Sequence, residues 1–501
     1  MKKNNIFSGA FILAVGGVLS KVFSAVYRIV LTNILGGEGI GVYQLIFPFY
    51  SLCVVIATAG LPLAISKVVS KNVGNETNVL KKCLKFTFIV SSALTLILFL
   101  SSRGLAILQG ETKIFLCYML LAPTIIVIGI ASVLRGYFQG KHNFLPSSIS
   151  NILEQFVKMV VGLVLSLSLI SIGVFAAVVG AVIGIVLSEI VSLLILLLFI
   201  KKDKKQTSKK KDLSIKNLVK DILPITLTNI ILPFSNFLDS VLVVNLLGIN
   251  FSKNISVFLY GLESGAVSSL VSLPTIFSFA IASVILPSLS VLTRIFNKNH
   301  KLSVAIKIVL IITIPCAVCF ALVPNRVIKI LYQNKLSAYG LDGIGIAGRL
   351  LAISGLGIPF LAVNQIYSSS LQAVDERYKT IRNLAIAVSA KLVIELIFLP
   401  AKALNVYVLA ISNTLCYFTV FMLNHVEMKR FFIFKLSIDF IAKLVLSNCL
   451  LILTLVLIMS MRSSVTNTML ALLVGAIVYV VSLFTFKIFN KKDKALLKYK
   501  V

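Results

Sequence analysis

The 501-residue sequence has no tryptophan, three histidines and only 13% charged residues. Soluble domains keep a charged surface around their core, so a chain that is 58% hydrophobic with so few charges does not belong to that class. His142, His300 and His425 lie far apart, which argues against a metal site or a histidine-based catalytic centre. The sequence has no GxxxxGK[ST] motif, so no ATP hydrolysis is indicated. We therefore predict no enzyme activity, no metal site and no organic cofactor.

Acidic residues are also scarce, since 17 Asp and Glu stand against 48 Lys and Arg, a net charge of +31. Such a charge could suit nucleic acid, but the positions of the cations favour a membrane topology. About fourteen apolar stretches of membrane-spanning length are predicted. They lie near 7–34, 41–66, 86–102, 115–137, 149–170, 174–200, 219–247, 257–291, 303–323, 345–370, 383–400, 403–424, 440–461 and 467–488.

Cations concentrate in alternate connections between these spans. With the N-terminus inside, the inner connections hold 35 of the 48 Lys and Arg, the outer connections nine and the spans four. This positive-inside bias predicts a multi-pass plasma-membrane protein with both termini in the cytoplasm. The charge is then explained by topology and by attraction to anionic lipid, and we predict no nucleic-acid partner.

A basic stretch, 201–217, separates two sets of six predicted spans. Similar features recur in both sets: Pro48, Pro62 and Lys158 in the first correspond to Pro274, Pro287 and Lys391 in the second. An even number of spans per set makes the sets parallel repeats, an architecture suited to alternating access. The predicted fold is an all-α polytopic membrane protein. Its parts are a six-helix lobe over 1–200, a cytoplasmic linker over 201–217, a second six-helix lobe over 218–424, and two further helices with a basic tail over 425–501.

The first span carries two cations. Lys21 and Arg28 are seven residues apart, so they share one helix face. A cation at this depth costs several kcal/mol unless it meets protein, water or ligand, on the order of 3 kcal/mol by insertion scales. We expect both to bind an anionic substrate, and the alternative is a packing or snorkelling role.

The seventh span carries polar residues at helical spacing, among them Asn236 with Asp239 close by. Amides and hydroxyls on this face could bind sugar, and helix–helix hydrogen bonding is an equal alternative. For Asp239 two interpretations stay open: it pairs with Lys21 or Arg28, or it takes part in cation coupling.

Other intramembrane charges suggest structural roles. Glu154 with Lys158, and Lys391 with Glu395, are spaced i,i+4 and are predicted to form structural ion pairs. Glu189 lies alone in the sixth span and is a candidate proton or sodium site, although the coupling ion is not identifiable from the sequence.

Three stretches resemble a known family: "SKVFSAVYRIVLTNILGG" from residue 20, "GVYQLIFPFYSL" from residue 41 with "TAGLPLAISK" from residue 58, and "LVSLPTIFSFAIASVILPSLS" from residue 270. They are similar to the stage V sporulation protein B family. That family belongs to the polysaccharide-transporter branch of the multidrug/oligosaccharidyl-lipid/polysaccharide exporter superfamily, which includes the MATE transporters and is related to lipid II flippases.

This resemblance covers essentially the whole chain and implies transport of a lipid-linked glycan, a peptidoglycan precursor for the spore cortex. The partners it implies are that glycan, membrane lipids and cell-wall synthesis enzymes. Lipid II flippases line their cavity with arginines. Only Lys21 matches one of them here, and Ser268 and Ser269 stand where those flippases carry an arginine. The alternatives are a drug/cation antiporter of the same superfamily and a non-transporting scaffold for cell-wall synthesis.

Overall fold

The computed structural model describes residues 4–71, 76–202, 215–291, 295–333, 335–433, 436–461 and 464–489. Within these ranges the regular elements are helices, accompanied by an isolated bridge between Ala338 and Leu341. The predicted all-α class is confirmed.

Contacts group the chain into two compact units, Met1–Gly265 and Ala266–Val501. The helices of the first unit are α1 (Asn4–Thr58), α2 (Leu61–Lys71), α3 (Glu76–Leu108), α4 (Phe115–Leu121), α5 (Thr124–Gly140), α6 (Leu145–Leu169), α7 (Val174–Lys202), α8 (Ile215–Leu247) and α9 (Lys253–Gly261). A 3-10 turn, Thr112–Ile114, precedes α4, and a π-helical segment, Leu262–Val267, follows α9.

The helices of the second unit are α10 (Ser268–Val291), α11 (Ile295–Leu322), α12 (Pro324–Tyr332), α13 (Gly343–Leu356), α14 (Ile358–Ala373), α15 (Arg377–Phe398), α16 (Tyr407–Phe431), α17 (Ile438–Met461) and α18 (Val465–Thr485). In this structure α8 and α9 contact α1 and belong to the first unit. The predicted division into lobes at 201–217 stays a prediction, and residues 203–214 of that linker lie outside the described residues.

Eleven helices in the described part of the chain are long and apolar enough to cross a membrane, or twelve if the bent pair α13 and α14 forms one span. The chain is therefore a multi-pass membrane protein, although this criterion does not reach the predicted count of fourteen. One difference is the predicted span at 383–400, which lies on α15; this helix begins at Arg377 and carries five charged residues along its whole length. The other difference is Val15–Ser70, a 56-residue stretch that this criterion counts as one span although two spans are predicted there.

A break at Gly36 divides that long stretch. At 1.5 Å per residue, 56 residues would reach about 84 Å, well beyond the 30 Å hydrocarbon core. Gly36 has φ 67° and ψ −174°, a conformation open to glycine and strained for a residue with a Cβ. The two arms of α1 on either side of Gly36 cover the predicted first span and most of the predicted second.

The first unit is held together by apolar and small-residue packing. Leu61 and Ile65 of α2 join Leu134 of α5 in one buried cluster. Between α6 and α7 the backbones touch, because a Cβ on Gly184 would collide with the Cα and N of Gly162. Small residues at such a contact are typical of membrane helices, where dispersion attraction replaces the hydrophobic effect between helices.

In the described part of the second unit, two buried clusters hold the helices together. One joins α11, α14 and α16 through residues that include Leu302, Ile366 and Met428. The other packs α17 and α18 on α11, and there the Tyr479 hydroxyl donates to the Ile311 carbonyl at 2.7 Å. The two final helices are thus fixed to α11 by buried contacts.

Candidate functional site

The two cations of the first predicted span both lie on α1, and both side chains are half-buried. Val22, Val26 and Val30 form the exposed stripe of this part of α1, with 44%, 45% and 37% of their surface accessible. At 100° per residue, Lys21 and Arg28 lie on the other side of the helix from that stripe. The helix therefore turns an apolar face outward and its cations inward.

Among the residues that the structure describes, Arg28 has no carboxylate partner. Its side chain makes no hydrogen bond or ion pair with any described residue, while its backbone carbonyl accepts a 2.7 Å bond from Thr32 Oγ1. The adjacent Tyr27 is fully buried, and its hydroxyl oxygen accepts from the Tyr43 hydroxyl at 3.3 Å. The guanidinium thus adjoins aromatic hydroxyls, and its five donors remain available to an anion.

Lys158 of α6 lies beside this part of α1. Its Nζ is 5.4 Å from the centroid of the Tyr27 ring and 5.8 Å from that of Phe47, distances typical of cation–π contacts. The charged groups that act on it are Arg28, Glu154 and Glu189. The ammonium makes no direct ion pair with a described carboxylate, and Glu154 acts on it only from a distance, so the predicted structural pair stays a prediction.

Glu154 is instead bound by Arg135 of α5. Arg135 Nη2 lies 2.7 Å from Glu154 Oε2 and also donates to Ser192 Oγ of α7 at 2.7 Å. Glu154 Oε1 accepts from Gln155 Nε2 at 2.8 Å. The i,i+4 spacing alone favoured Lys158, but the carboxylate is directed towards α5 and α7. One carboxylate thereby ties three helices together.

Glu189 lies on α7, one helical turn before Ser192. Its Oε2 is buried and has no hydrogen-bond partner among the described residues. Glu154 and Lys158 act on it electrostatically. A buried carboxylate with an unused oxygen is what a proton or cation site requires. The structure thus places this candidate beside the Arg135–Glu154 pair, and its role stays a prediction.

The polar residues of α8 divide into exposed and buried positions. Asn236 is exposed, whereas Asp239 and Ser240 are buried. Ser240 Oγ accepts from Gln109 Nε2 at 2.8 Å, and the same nitrogen donates to the Leu45 carbonyl at 2.9 Å. The Ser240 hydroxyl is therefore used in helix packing, while Asn236 remains available. The predicted contact of Asp239 with the α1 cations stays a prediction.

The second unit contains its own intramembrane pair. Lys391 Nζ lies 3.8 Å from Glu395 Oε1 on α15, and both side chains are almost fully buried. The Ser412 hydroxyl of α16 donates to the same carboxylate oxygen at 2.6 Å. This pair links α15 to α16, which fits a structural role.

Sequence reasoning missed two residues of the first unit. The sequence places Arg135 in a connection, because it lies close to the end of its predicted span, and it predicts no role for Gln109. Gln109 is fully buried, and its Oε1 accepts from the Tyr118 hydroxyl at 2.7 Å. A glutamine that follows an apolar run, nine residues before a tyrosine, is a weak signal, and only the folded chain shows its partners.

Comparison with known proteins gives the relationships of the chain. Residues 6–293 match the family model described as "Polysaccharide biosynthesis protein". Among curated proteins of Bacillus subtilis (strain 168), the uncharacterized membrane protein YabM is 34% identical over 174 residues, 34% of this chain and 33% of that protein. Stage V sporulation protein B is 27% identical over 305 residues, 58% of this chain and 59% of that protein. Lipid II flippase MurJ is 28% identical over 171 residues, 31% of each chain. The matches thus span about a third to three-fifths of these relatives.

Solved structures show the same fold over a greater length. A lipid II flippase MurJ in an inward closed conformation matches with a TM-score of 0.73 at 18% identity, covering 95% of this chain and 98% of that one. An inward-facing MATE multidrug transporter of the MOP superfamily matches with a TM-score of 0.66 at 14% identity, covering 84% and 97%. With its first 293 residues almost entirely matched by the family model and this fold, the chain belongs to the polysaccharide biosynthesis protein family and resembles stage V sporulation protein B, as its sequence motifs indicate.

Proposed function

We propose that this protein is a flippase that moves a lipid-linked oligosaccharide across the plasma membrane by alternating access. The substrate is a peptidoglycan precursor used for the spore cortex, delivered from the cytoplasmic leaflet to the outer leaflet. Support for this class comes from relatives named as a lipid II flippase and as a stage V sporulation protein.

One observation carries the proposal. Among the described residues of the first unit, neither Arg28 nor Lys158 is ion-paired with a carboxylate, and Glu154, the acid at i,i+4 spacing from Lys158, is bound by Arg135. Fixed cations in a low-dielectric environment are costly by themselves and favour a negatively charged ligand. A lipid pyrophosphate supplies such a charge, and guanidinium forms bidentate bonds with its oxygens.

The remaining residues have roles around this anion. Lys21 lies two helical turns from Arg28 on the same face and extends the cationic surface. Asn236 on α8 is exposed and contributes an amide for sugar hydroxyls. Asp239 restrains the cations when no substrate is bound, and Glu189 provides the coupling site for a proton or sodium ion.

The charged residues around these cations argue against a drug/cation antiporter. A transporter of organic cations needs an acid-dominated site, but Glu154 is neutralised by Arg135 at 2.7 Å. A scaffold for cell-wall enzymes would not depend on buried cations at all. We place both termini in the cytoplasm, with cell-wall synthesis enzymes as partners on the outer face.

Reconstitution tests the proposal. The purified protein is placed in vesicles with candidate lipid-linked oligosaccharides, and headgroup accessibility is measured from outside with a membrane-impermeant reagent. We expect protein-dependent translocation of a pyrophosphate-linked glycan in wild type and strong loss in Arg28→Met. Arg103→Met is the matched control, because Arg103 lies near the C-terminal end of α3, over the Phe115 ring. Equal translocation by wild type, Arg28→Met and protein-free vesicles would overturn the proposal.

A further inference from the structure

A cavity of about 470 Å³ lies in the second unit, at the junction of α11 with α12 and against the end of α17. Its wall combines apolar and polar side chains, including Leu322, Asn325, Arg326, Leu455, Met459 and Ser460. The residues assigned to the transported substrate do not line it. Ligand sites of this size, largely apolar with a few polar groups, are common in proteins.

The depth of this cavity in the membrane follows from the ends of two candidate spans. Leu322 is the last residue of α11, and Ser460 lies next to Met461, with which α17 ends. Both contribute to the cavity wall. Because both residues lie at the ends of apolar helices of membrane-spanning length, we place the cavity at the level of the lipid headgroups.

Arg326 supplies the charge of the cavity. Its side chain is half-buried, and Nη1 is buried without a hydrogen-bond partner among the described residues. A buried guanidinium donor without an acceptor is unfavourable, and an anion in the cavity would satisfy it. Arg326 lies in the first turn of α12, where no side chain caps the helix. Pro324 has no N–H, so the first-turn N–H groups of Asn325 and Arg326 supply the partial positive charge of this helix end.

The guanidinium of Arg326 makes the cavity attractive to anions even though two other helix ends contribute partial negative charge to it. The C-terminal ends of α11 and α17 reach the same cavity and carry partial negative charge. Without Arg326, the cavity would therefore have little attraction for an anion.

The apolar side chains of the cavity indicate that the ligand also has an apolar part. Leu455 is buried at the base, while Val456 and Leu322 line the cavity with 54% and 45% of their surface exposed. An inorganic ion gains nothing from contact with apolar side chains, whereas an acyl chain would pack against them. About 25 cal/mol is gained for each Å² of apolar surface removed from water.

From this combination the geometry points to a binding site for an anionic phospholipid. The phosphate is held by Arg326 and the first turn of α12, and the upper part of an acyl chain lies along Leu322, Val456 and Met459. This lipid is a resident partner of the second unit and is not the transported glycan.

Binding to the purified full chain in neutral detergent tests this site. Phosphatidylglycerol, phosphatidylcholine with the same acyl chains, and inorganic phosphate are titrated separately, and bound lipid is counted by native mass spectrometry. We expect phosphatidylglycerol to bind about tenfold or more tightly than either other probe, because the choline cation of phosphatidylcholine is repelled by Arg326 and inorganic phosphate lacks the acyl chains. Equal binding of phosphatidylcholine would overturn charge recognition, and equal binding of inorganic phosphate would overturn the lipid.

Two variants with the same loss of charge locate the site. Arg326→Gln should lower phosphatidylglycerol affinity about tenfold or more. Lys329→Gln removes a cation from the exposed side of the same helix, outside the cavity, and should leave affinity within about twofold. Arg326→Lys keeps the charge and should retain part of the binding, which covers the case in which Arg326→Gln does not fold. Wild-type affinity in a folded Arg326→Gln, or equal losses in both glutamine variants, would refute the site.

Discussion

Arg135 Nη2 lies 2.7 Å from Glu154 Oε2, across the contact between α5 and α6. Glu154 is the acid at i,i+4 spacing from Lys158, but its carboxylate is in direct contact with Arg135 instead. The cationic character of the site therefore depends on an arginine placed on another helix.

The first prediction concerns that pair. Both side chains are only about 15% exposed, and Arg135 also donates to Ser192. Arg135→Met leaves an uncompensated carboxylate and should lower the free energy of unfolding by about 3 kcal/mol. Arg135→Met combined with Glu154→Met should recover most of that loss. Thermal unfolding in detergent is followed by far-ultraviolet circular dichroism, since the chain has no tryptophan.

Lys158→Met is the matched comparison for that experiment. Lys158 contacts aromatic rings rather than a carboxylate, so its loss should be smaller, about 1 kcal/mol. A larger loss in Lys158→Met than in Arg135→Met, or no recovery in the double variant, would contradict the assigned pairing.

A second prediction separates charge from packing on α1. Lys21→Met keeps most of the aliphatic volume but removes the cation, and should abolish transport while the protein still accumulates in the membrane. Lys21→Arg and Arg28→Lys should each retain part of the activity, because both side chains bind phosphate oxygens with different reach. Asp239→Asn should be milder than either neutralisation. Complementation of the sporulation defect in a deletion strain is scored beside membrane abundance.

Full complementation by Lys21→Met together with Arg28→Met, at normal abundance, would exclude anion binding by these cations. A purely structural role would show a different pattern, in which the neutralised proteins are lost from the membrane.

Topology gives a third prediction. Single cysteines are placed at Ser208 and Ile249 in a cysteine-free protein and labelled with an impermeant thiol reagent. Ile249 lies after α8 with 66% of its surface exposed and should label in intact cells. Ser208, which lies outside the described residues, should label only after permeabilisation, because nine cations at 201–220 keep that connection inside. Labelling of both positions in intact cells would refute the predicted orientation.

The fourth prediction concerns the break in α1. Gly36→Ala places a Cβ at φ 67° and should destabilise the fold by about 1–2 kcal/mol. Gly17→Ala on the same helix is the control, because nothing lies within 4 Å of a Cβ there. Alanine favours a helix over glycine by about 1 kcal/mol, so this control should be neutral or stabilising. Unfolding temperatures by circular dichroism compare the two, and a similar change in both would argue against strain at Gly36.

Much of the architecture was predictable because it depends on local hydrophobicity. Every predicted span falls on helix in the described residues, and the motif at residues 20–37 led to the family that the comparisons show. What the sequence could not indicate is which helices face each other. Spacing favours Lys158 as the partner of Glu154, but Arg135 lies nineteen residues earlier in the chain and reaches the carboxylate only after α5 and α6 pack. Gln109 is likewise 131 residues from Ser240, its partner on α8.

The contact between Gly162 and Gly184 has a mechanical consequence. Two backbones that touch without intervening side chains cannot slide past each other, since any shift in register drives a Cβ into a main chain. A turn of α6 during a transport cycle would therefore drag α7 along, together with Glu154, Ser192 and Glu189. The charged residues of α6 and α7 would then move together as one rigid body. Any bending would have to occur in other backbone segments, such as α1 at Gly36, where the helix is already broken.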